Sequence, residues 1–220
     1  MKKLVAFIII YSVVLMSCNR KTTLKGRVMN PITGEGIEGA TISASKTTLE
    51  LPGGYKTVEQ TTSDANGDFL LEFKKSAANI GVSTGNYYDI GWHQNGAIQP
   101  GYYLPVQQGK NMKADFYAVP YGKLQINIKN INCEGPTDSL DVFFDGSTVL
   151  ALSGNQDANN QIGSILIEPI TGCWDNSNIL DTQMGYRFYH WTVIRSGVSQ
   201  TFYDTVFVVP NQTTALNVFY

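Results

Sequence analysis

Apolar and polar residues alternate along much of the first half of the chain, with the period of two that is typical of β-strands. The alternation is clearest in the segments 24–30, 39–45 and 67–73, which are bounded by Gly, Asn, Pro or Asp residues that favour turns. Residues 77–81 are compatible with one helical turn, and no helical pattern longer than that is present. The first half is therefore predicted to consist of short strands joined by turns.

The second half repeats this style without repeating the sequence. Its most regular segment is GKLQINIKN at 122–130, and residues 148–152 form a weaker strand candidate. Together these segments predict about seven strands over roughly a hundred residues, the number expected of an immunoglobulin-like sandwich. The other strand candidates are 139–144, 162–170, 185–194, 201–209 and 214–220.

The segment AVPYG, residues 118–122, is the predicted boundary between the two halves. Pro120 has no backbone N–H to donate and is expected to interrupt strand pairing, after which Gly122 restarts the chain. The predicted fold class is all-β, with two β-sandwich domains at 23–119 and 121–220.

The first domain contains a series of short motifs, formed by Gly26, Val28, Gly39, Ala40, Ile42, Ser63, Asp64, Gly67 and Phe69. These motifs resemble those of the carboxypeptidase regulatory-like family, whose fold is prealbumin-like. The resemblance extends from residue 22 to about residue 90 and implies a prealbumin-like domain followed by the immunoglobulin-like one. After residue 90 the chain is longer and more irregular than the family pattern, so the positions of the last strands of the domain are not predicted.

Three of these residues have a physical role that agrees with the pattern. Gly67 suits the positive φ of a hairpin turn, and the carboxylate of Asp64 is placed to accept hydrogen bonds from backbone amides across that turn. Phe69 is then expected to enter the core as strand pairing resumes. The sequence therefore predicts a hairpin turn at residues 64–67.

The amino terminus has the organisation of a secretory signal. Lys2 and Lys3 precede an uncharged run at 4–16, which is shorter than the roughly 20 apolar residues that a spanning helix needs. The segment Leu15-Met16-Ser17-Cys18 resembles the lipobox of bacterial lipoproteins. This implies a signal peptide at 1–17 and lipidation of Cys18 with acyl chains such as palmitate; the alternative is an ordinary signal peptide with an incidental cysteine.

The residues after Cys18 bear on where the lipoprotein is sorted. Residues 18–22 are expected to form the lipidated terminus and a short tether. Asn19 stands where an aspartate would retain an enteric-type lipoprotein in the inner membrane, so the expected location is the outer membrane. The acidic residues that follow the cysteine in surface-displayed lipoproteins of Bacteroides-like bacteria are absent. The periplasmic and cell-surface sides therefore both stay open.

Charge and cysteine content narrow the function classes. The chain has 16 basic and 18 acidic residues and no basic block, which argues against a nucleic-acid partner. Cys133 and Cys173 form an even pair in an exported protein and are a disulfide candidate, with two separate buried thiols as the alternative.

Little in the sequence indicates catalysis. Its two histidines, His93 and His190, accompany neither a G-x-S-x-G elbow nor a zinc-binding spacing. We expect His190 to pack on a strand face and His93 to lie in a loop. The DANGD segment at 64–68 fails as an EF-hand because Phe69 and Lys75 occupy the sixth and twelfth positions. No metal or cofactor is expected, and a small hydrolase with a loop site near His93 is the alternative function.

An aromatic cluster is the remaining candidate site. Its rings either fill the core under a long loop or form a surface for a glycan or a protein partner. The sequence thus predicts a non-enzymatic binding or structural module of the envelope, with the membrane, a protein complex or a glycan as partners. The candidate ligand-binding residues are Tyr87, Tyr88, Trp92, Tyr102 and Tyr103.

Overall fold

The computed structural model describes residues 21–48, 54–99, 102–153 and 164–220, with the side chains of 164–168 left out of the description. These residues form sixteen strands and one short helix. No helix among them has the length and apolar character needed to cross a membrane. The strands are β1 (Thr22–Met29), β2 (Thr41–Thr48), β3 (Gly54–Thr62), β4 (Asp68–Phe73), β5 (Asn79–Ser83), β6 (Tyr87–Gln94), β7 (Ala97–Ile98), β8 (Leu104–Pro105), β9 (Asn111–Lys113), β10 (Asp115–Lys129), β11 (Ser139–Ser147), β12 (Ser164–Thr171), β13 (Asp175–Gln183), β14 (Gly185–Arg195), β15 (Val198–Val208) and β16 (Thr213–Phe219), and the helix is α1 (Thr148–Ser153).

The chain divides into two compact units. Unit 1 contains the described residues up to Gly85 together with Gly91–Tyr117, and unit 2 contains Asn86–Ile90 and Ala118–Tyr220. Cys18 and the predicted signal peptide lie outside the described residues. Thr22, which was assigned to the tether, is buried at the start of β1, and its hydroxyl accepts a hydrogen bond from the Gly109 N–H at 2.8 Å. Strand β1 therefore includes Thr22.

In unit 1, β1 pairs antiparallel with β4 and parallel with β9 and the start of β10. A second sheet has the strand order β3-β2-β5-β8. The alternating apolar residues predicted from the sequence point into the core, which excludes water from their side chains. Its largest members include Leu24, Val28, Ile42, Phe69, Leu71, Ile80, Trp92, Leu104 and Phe116.

The turn that enters β4 has the predicted local geometry. Gly67 has a φ of 80°, and a Cβ there would lie 2.2 Å from the carbonyl oxygen of Val28. The Asp64 carboxylate accepts hydrogen bonds from the backbone N–H groups of Asn66 and Asp68, at 2.8 and 2.9 Å. Phe69 is buried in the core. A turn at these residues is confirmed, and one carboxylate oxygen of Asp64 accepts both bonds. It is not a hairpin, however, because β3 and β4 belong to different sheets.

In unit 2, residues 121–129 of β10 pair antiparallel with β13 and residues 123–129 pair parallel with β16. The other sheet has the order β12-β11-β14-β15. The all-β prediction is confirmed, and seven strands form this sandwich. One core lies between the sheets, and it includes Leu124, Ile126, Leu140, Val142, Tyr189, Trp191, Val193, Leu216 and Val218.

The two units share one strand order, although their sequences give no sign of it. In each unit the first strand lies between the fourth strand and a parallel last strand, and the second sheet runs third, second, fifth, sixth. The strands that correspond are β1–β5, β8 and β9 in unit 1 and β10–β16 in unit 2. This order differs from the ABED and CFG sheets of immunoglobulin domains, so the likeness of unit 2 to that class lies in its strand number and two-sheet packing.

The prediction that Pro120 interrupts strand pairing is wrong. The 15-residue strand β10 continues through it, and the Pro120 carbonyl accepts a hydrogen bond from the Met184 N–H at 2.9 Å. Gly122 follows at a close approach, where a Cβ would lie 2.4 Å from the carbonyl oxygen of Val209. The glycine is therefore needed for packing rather than for a chain restart.

Two other local predictions are wrong. Residues 148–152, the weak strand candidate, belong to α1, whose first turn includes a hydrogen bond from the Leu150 N–H to the Ser147 hydroxyl at 3.3 Å. Residues 79–81 of the predicted helical turn lie in β5, where Ile80 is buried opposite Ala44. The seventh strand of unit 2, which was expected at residues 148–152, is β13.

Candidate functional site

The structure separates the five candidate aromatic residues. Trp92 is 0% exposed, and its ring packs edge-on against Phe69 and Phe116, with centroid distances of 6.3 and 5.2 Å. It therefore fills the core of unit 1 and cannot stack on a ligand, which corrects its place in the predicted surface. Tyr87 and Tyr88 lie on β6 and are half-buried. Tyr102 and Tyr103 are 75% and 51% exposed.

Tyr103 lies on the solvent side of the sheet β3-β2-β5-β8. A Cβ on Gly81 would lie 3.1 and 3.2 Å from two carbons of its ring, so the ring rests against the backbone of β5 where no side chain intervenes. The ring of Tyr55, which comes from β3 and is 57% exposed, is 5.7 Å away at an interplanar angle of 32°. The two tyrosines form an aromatic pair above the sheet.

Uncharged polar residues surround this pair. Strand alternation places Ile42, Ala44 and Ile80 in the core. The residues that alternate with these three along their strands therefore face solvent, and so do the residues that pair with them on the neighbouring strands. We call this surface the tyrosine face. It comprises Tyr55 and Tyr103 with the outward residues Thr41, Ser43, Ser45, Thr47, Thr57, Gln60, Thr62, Asn79, Gly81 and Ser83.

A second aromatic surface lies on the solvent side of the sheet β12-β11-β14-β15. The ring of His190 stacks on Phe143 at 4.6 Å, and Tyr203 lies 5.7 Å away on its other flank. The His190 Nδ1 is 2.7 Å from an Asp145 carboxylate oxygen. Tyr203 is 76% exposed. We call this surface the β14–β15 face, and it comprises Phe143, Tyr186, Phe188, His190, Ile194, Tyr203 and Phe207.

The two histidines lie in different units. His190 packs on a strand face, as predicted. His93 lies on β6 rather than in a loop, and its ring stacks on Tyr117 at 4.8 Å. The partners recorded for the two imidazoles are Tyr117 for His93, and Phe143, Tyr203 and Asp145 for His190. None of these partners is the serine, threonine or cysteine that a nucleophilic triad requires. Within the described ranges, no three His, Cys, Asp or Glu side chains come together to hold a metal ion.

No family model matches the chain. No curated protein matches its sequence. Among solved structures it is similar to a streptococcal ancillary pilin, at 11% identity over 90% of this chain and 62% of the pilin, with a TM-score of 0.32. It is also similar to a DUF3823 family protein from Parabacteroides merdae, at 10% identity over 87% of this chain and 100% of that one, with a TM-score of 0.30. A leucine-rich repeat protein from Bacteroides thetaiotaomicron is 11% identical over 91% of this chain, with a TM-score of 0.25, and the chain spans 26% of its length. These likenesses carry no information on function.

A disulfide and a buried carboxylate close one end of unit 2. Cys133 and Cys173 are bonded, with 5.3 Å between their Cα atoms, as predicted. Asp138 is buried beside this bond and accepts hydrogen bonds from the Asn130 amide at 2.9 Å and the Glu134 backbone N–H at 3.0 Å. Arg195 donates to the same oxygen at 3.3 Å. This cluster ties the loop after β10 to the end of β14.

The Asp138 cluster predicts a loss of stability in acid. The Asn130 amide, followed by the Glu134 N–H and Arg195, lowers the pKa of Asp138 below its ordinary value. A lowered pKa contributes stability above the unfolded-state value of about 3.9, and this contribution is lost as the pH falls through the folded-state pKa. We expect the stability of unit 2 to fall as the pH drops below about 4, the unfolded-state pKa of an aspartate.

The measurement is urea unfolding across this pH range with wild type and Asp138→Asn. The variant should take up fewer protons on unfolding, by at most one, which flattens the acid limb of its stability profile whatever its stability at neutral pH. Parallel acid limbs in the two proteins would contradict the role of Asp138.

Proposed function

We propose that this chain is a lipid-anchored protein of the outer membrane that acts as a non-enzymatic binding module. In this proposal Cys18 carries the lipid and the β14–β15 face contacts an envelope protein. The lipobox-like segment ending at Cys18 supports the anchor, because two or more acyl chains on one terminus hold a protein stably at a membrane. Unit 1 separates that contact from the anchor along the chain.

One observation carries the assignment of the contact to unit 2. Strand β14 has aromatic residues on both of its faces, and the core takes only one set. Tyr189 and Trp191 are buried, whereas Tyr186 and Phe188 are exposed on the opposite side. Tyr203 on the neighbouring strand adds a third exposed ring. Contiguous exposed rings of this kind are a mark of interaction surfaces.

The composition of the β14–β15 face favours a protein partner. Aromatic residues are enriched at protein interfaces and charged residues are depleted at their centres. Here the His190 ring stacks on Phe143 and approaches Tyr203, and its Nδ1 is already paired with Asp145. Such a surface gains free energy when an apolar patch of a partner covers the rings.

The alternative of a hydrolase site near His93 receives no support from the geometry. The site was expected in a loop, where a histidine is free to meet a substrate. On β6 the imidazole instead stacks on Tyr117 with an interplanar angle of 13°. The proposal therefore rests on binding.

The proposal is tested by co-purification from crosslinked membranes. We compare wild type with a double variant, Phe188→Ser with Tyr203→Ser, which removes two exposed rings from the β14–β15 face. Ile179→Ser is the matched control, since Ile179 is an exposed apolar residue on β13 in the other sheet of unit 2.

We expect at least a tenfold loss of the co-purified protein in the double variant, because central aromatic residues supply most of the binding free energy at interfaces. Wild type and Ile179→Ser should retain it. Equal recovery from all three proteins, or no specific protein recovered with wild type, would contradict the proposal.

A further inference from the structure

We propose that the tyrosine face of unit 1 is a binding site for a neutral oligosaccharide. This site is separate from the contact assigned to unit 2 and does not depend on it. It gives unit 1 a binding role in addition to that of a spacer.

Tyr103 is held in place as a platform. Its ring lies against β5 at Gly81, where any side chain larger than hydrogen would come within 3.1 Å of a ring carbon. One edge of the ring therefore lies close to the backbone of β5, and 51% of the residue remains exposed. A ring that is already fixed loses little side-chain entropy when a ligand stacks on it.

Tyr55 extends the platform. It comes from β3, where it pairs with Thr47, and its ring centroid is 5.7 Å from that of Tyr103. Strands β3 and β8 are the outer strands of this sheet, and Tyr103 immediately precedes β8, so both rings lean inward over the strands between them. Two adjacent rings tilted by 32° make an apolar strip on which the C–H faces of successive sugar residues can rest.

The rest of the face offers hydrogen bonds and no charge. Every outward position of β2, β3 and β5 that pairs across this sheet is Ser, Thr, Gln, Asn, Gly or Tyr. Hydroxyl and amide groups both donate and accept, as sugar hydroxyls do. The charged residues of these strands, Lys46, Lys56 and Glu59, are exposed and pair at positions of the opposite parity. Among the described residues that pair across this sheet, none of those on the tyrosine face is basic, and the ligand class is therefore neutral.

A protein partner fits this surface less well than a glycan. The hot spots of protein interfaces are side chains that become fully desolvated in well-packed pockets. The tyrosine face instead has small polar residues such as Ser43, Ser45 and Thr57 around its rings. Flat apolar strips edged by hydroxyl groups match the two kinds of surface that a sugar ring presents.

The test is calorimetric titration of the full chain in detergent with three neutral hexasaccharides, cellohexaose, maltohexaose and mannohexaose. Hexagalacturonate serves as the charged counterpart. The variants are Tyr103→Ala, Tyr55→Ala and Tyr103→Phe. Leu70→Ala is the matched control, because Leu70 is exposed on β4 in the other sheet of unit 1. Thermal unfolding of each variant reports its folding separately.

We expect at least one neutral hexasaccharide to bind, with affinity reduced at least tenfold in Tyr103→Ala and Tyr55→Ala. Tyr103→Phe and Leu70→Ala should stay within threefold of wild type. If Tyr103→Ala does not fold, Tyr55→Ala and Tyr103→Phe decide the question.

Three results would overturn the inference: no binding of any neutral hexasaccharide, equal binding of hexagalacturonate, or binding that both tyrosine-to-alanine variants retain. The inference would also be overturned if wild type binds no glycan and the Tyr103→Ala variant fails to co-purify a membrane protein that wild type retains. The double variant Phe188→Ser with Tyr203→Ser should bind the glycan as wild type does, so failure of the protein contact in unit 2 leaves this outcome unaffected.

Discussion

Replacing Trp92 with alanine is expected to lower the stability of unit 1 by about 3–5 kcal/mol. The side chain is fully buried and packs against Phe69 and Phe116. Its removal loses the transfer free energy of the largest side chain in this core and leaves a cavity between two rings. A loss of this size is a large fraction of the 5–15 kcal/mol that holds a typical domain folded.

The measurement is urea unfolding followed by hydrogen exchange resolved by peptide, so that the two units are observed separately. Peptides from β1 and β4 should lose protection at lower urea in Trp92→Ala, and peptides from β14 should not. Trp92→Phe is the control, since it keeps an aromatic ring in the site and should recover a large part of the stability. Unchanged protection of β1 and β4 in the alanine variant would show that Trp92 does not lie in the core.

Removing the Cys133–Cys173 disulfide should destabilise unit 2 by about 4 kcal/mol. The bond joins cysteines 40 residues apart, and on the chain-entropy model it stabilises the fold by restricting the unfolded chain. For a domain of this size such a loss corresponds to a fall in the unfolding midpoint of roughly 15–30 °C. The effect is expected to spread to the Asp138 cluster, because Glu134 follows Cys133 directly and donates to Asp138.

The comparison is between oxidised wild type, reduced wild type and the double variant Cys133→Ser with Cys173→Ser. Thermal unfolding of the reduced protein and of the double variant should agree, while peptides from unit 1 keep the same midpoint in all three. A midpoint for unit 2 that does not change on reduction would contradict the stabilising role of the bond.

Much of the fold follows from alternation along the chain, and the misses have physical causes. Strand β13 escaped prediction because it lies at a sheet edge and exposes most of its residues, so its sequence DNSNILDTQ contains little apolar signal. Residues 148–152 contain the β-branched and apolar residues of a strand, yet they form a short helix in which Val149 reaches the core. Short apolar runs are compatible with either element.

The candidate site was predictable only in part. The aromatic residues between 87 and 103 could be recognised from the sequence. Which of them point into the core could not be predicted, because β6 and β7 are inserted between the fifth and sixth strands of unit 1. Trp92 was therefore placed on the surface when it lies in the core. Tyr55 was missed because its partner Tyr103 is 48 residues away along the chain.

The β14–β15 face had a signal in the sequence. In GYRFYHWTVI, aromatic residues occupy both alternating sets, and a strand in a two-layer sandwich buries only one face. Tyr189 and Trp191 enter the core, which leaves Phe188 and His190 outside with Tyr186. A search for strands with aromatic residues on both faces would have found this surface.

Every contact proposed for this chain takes place at the envelope, so the lipid on Cys18 is the central claim. It is tested most directly by mass spectrometry of the mature protein extracted from membranes. The account predicts an amino-terminal peptide that begins at Cys18 and carries a diacylglyceryl group on its sulfur and an acyl chain on its amino group. A mature protein that begins before Cys18, or an unmodified Cys18, would contradict it.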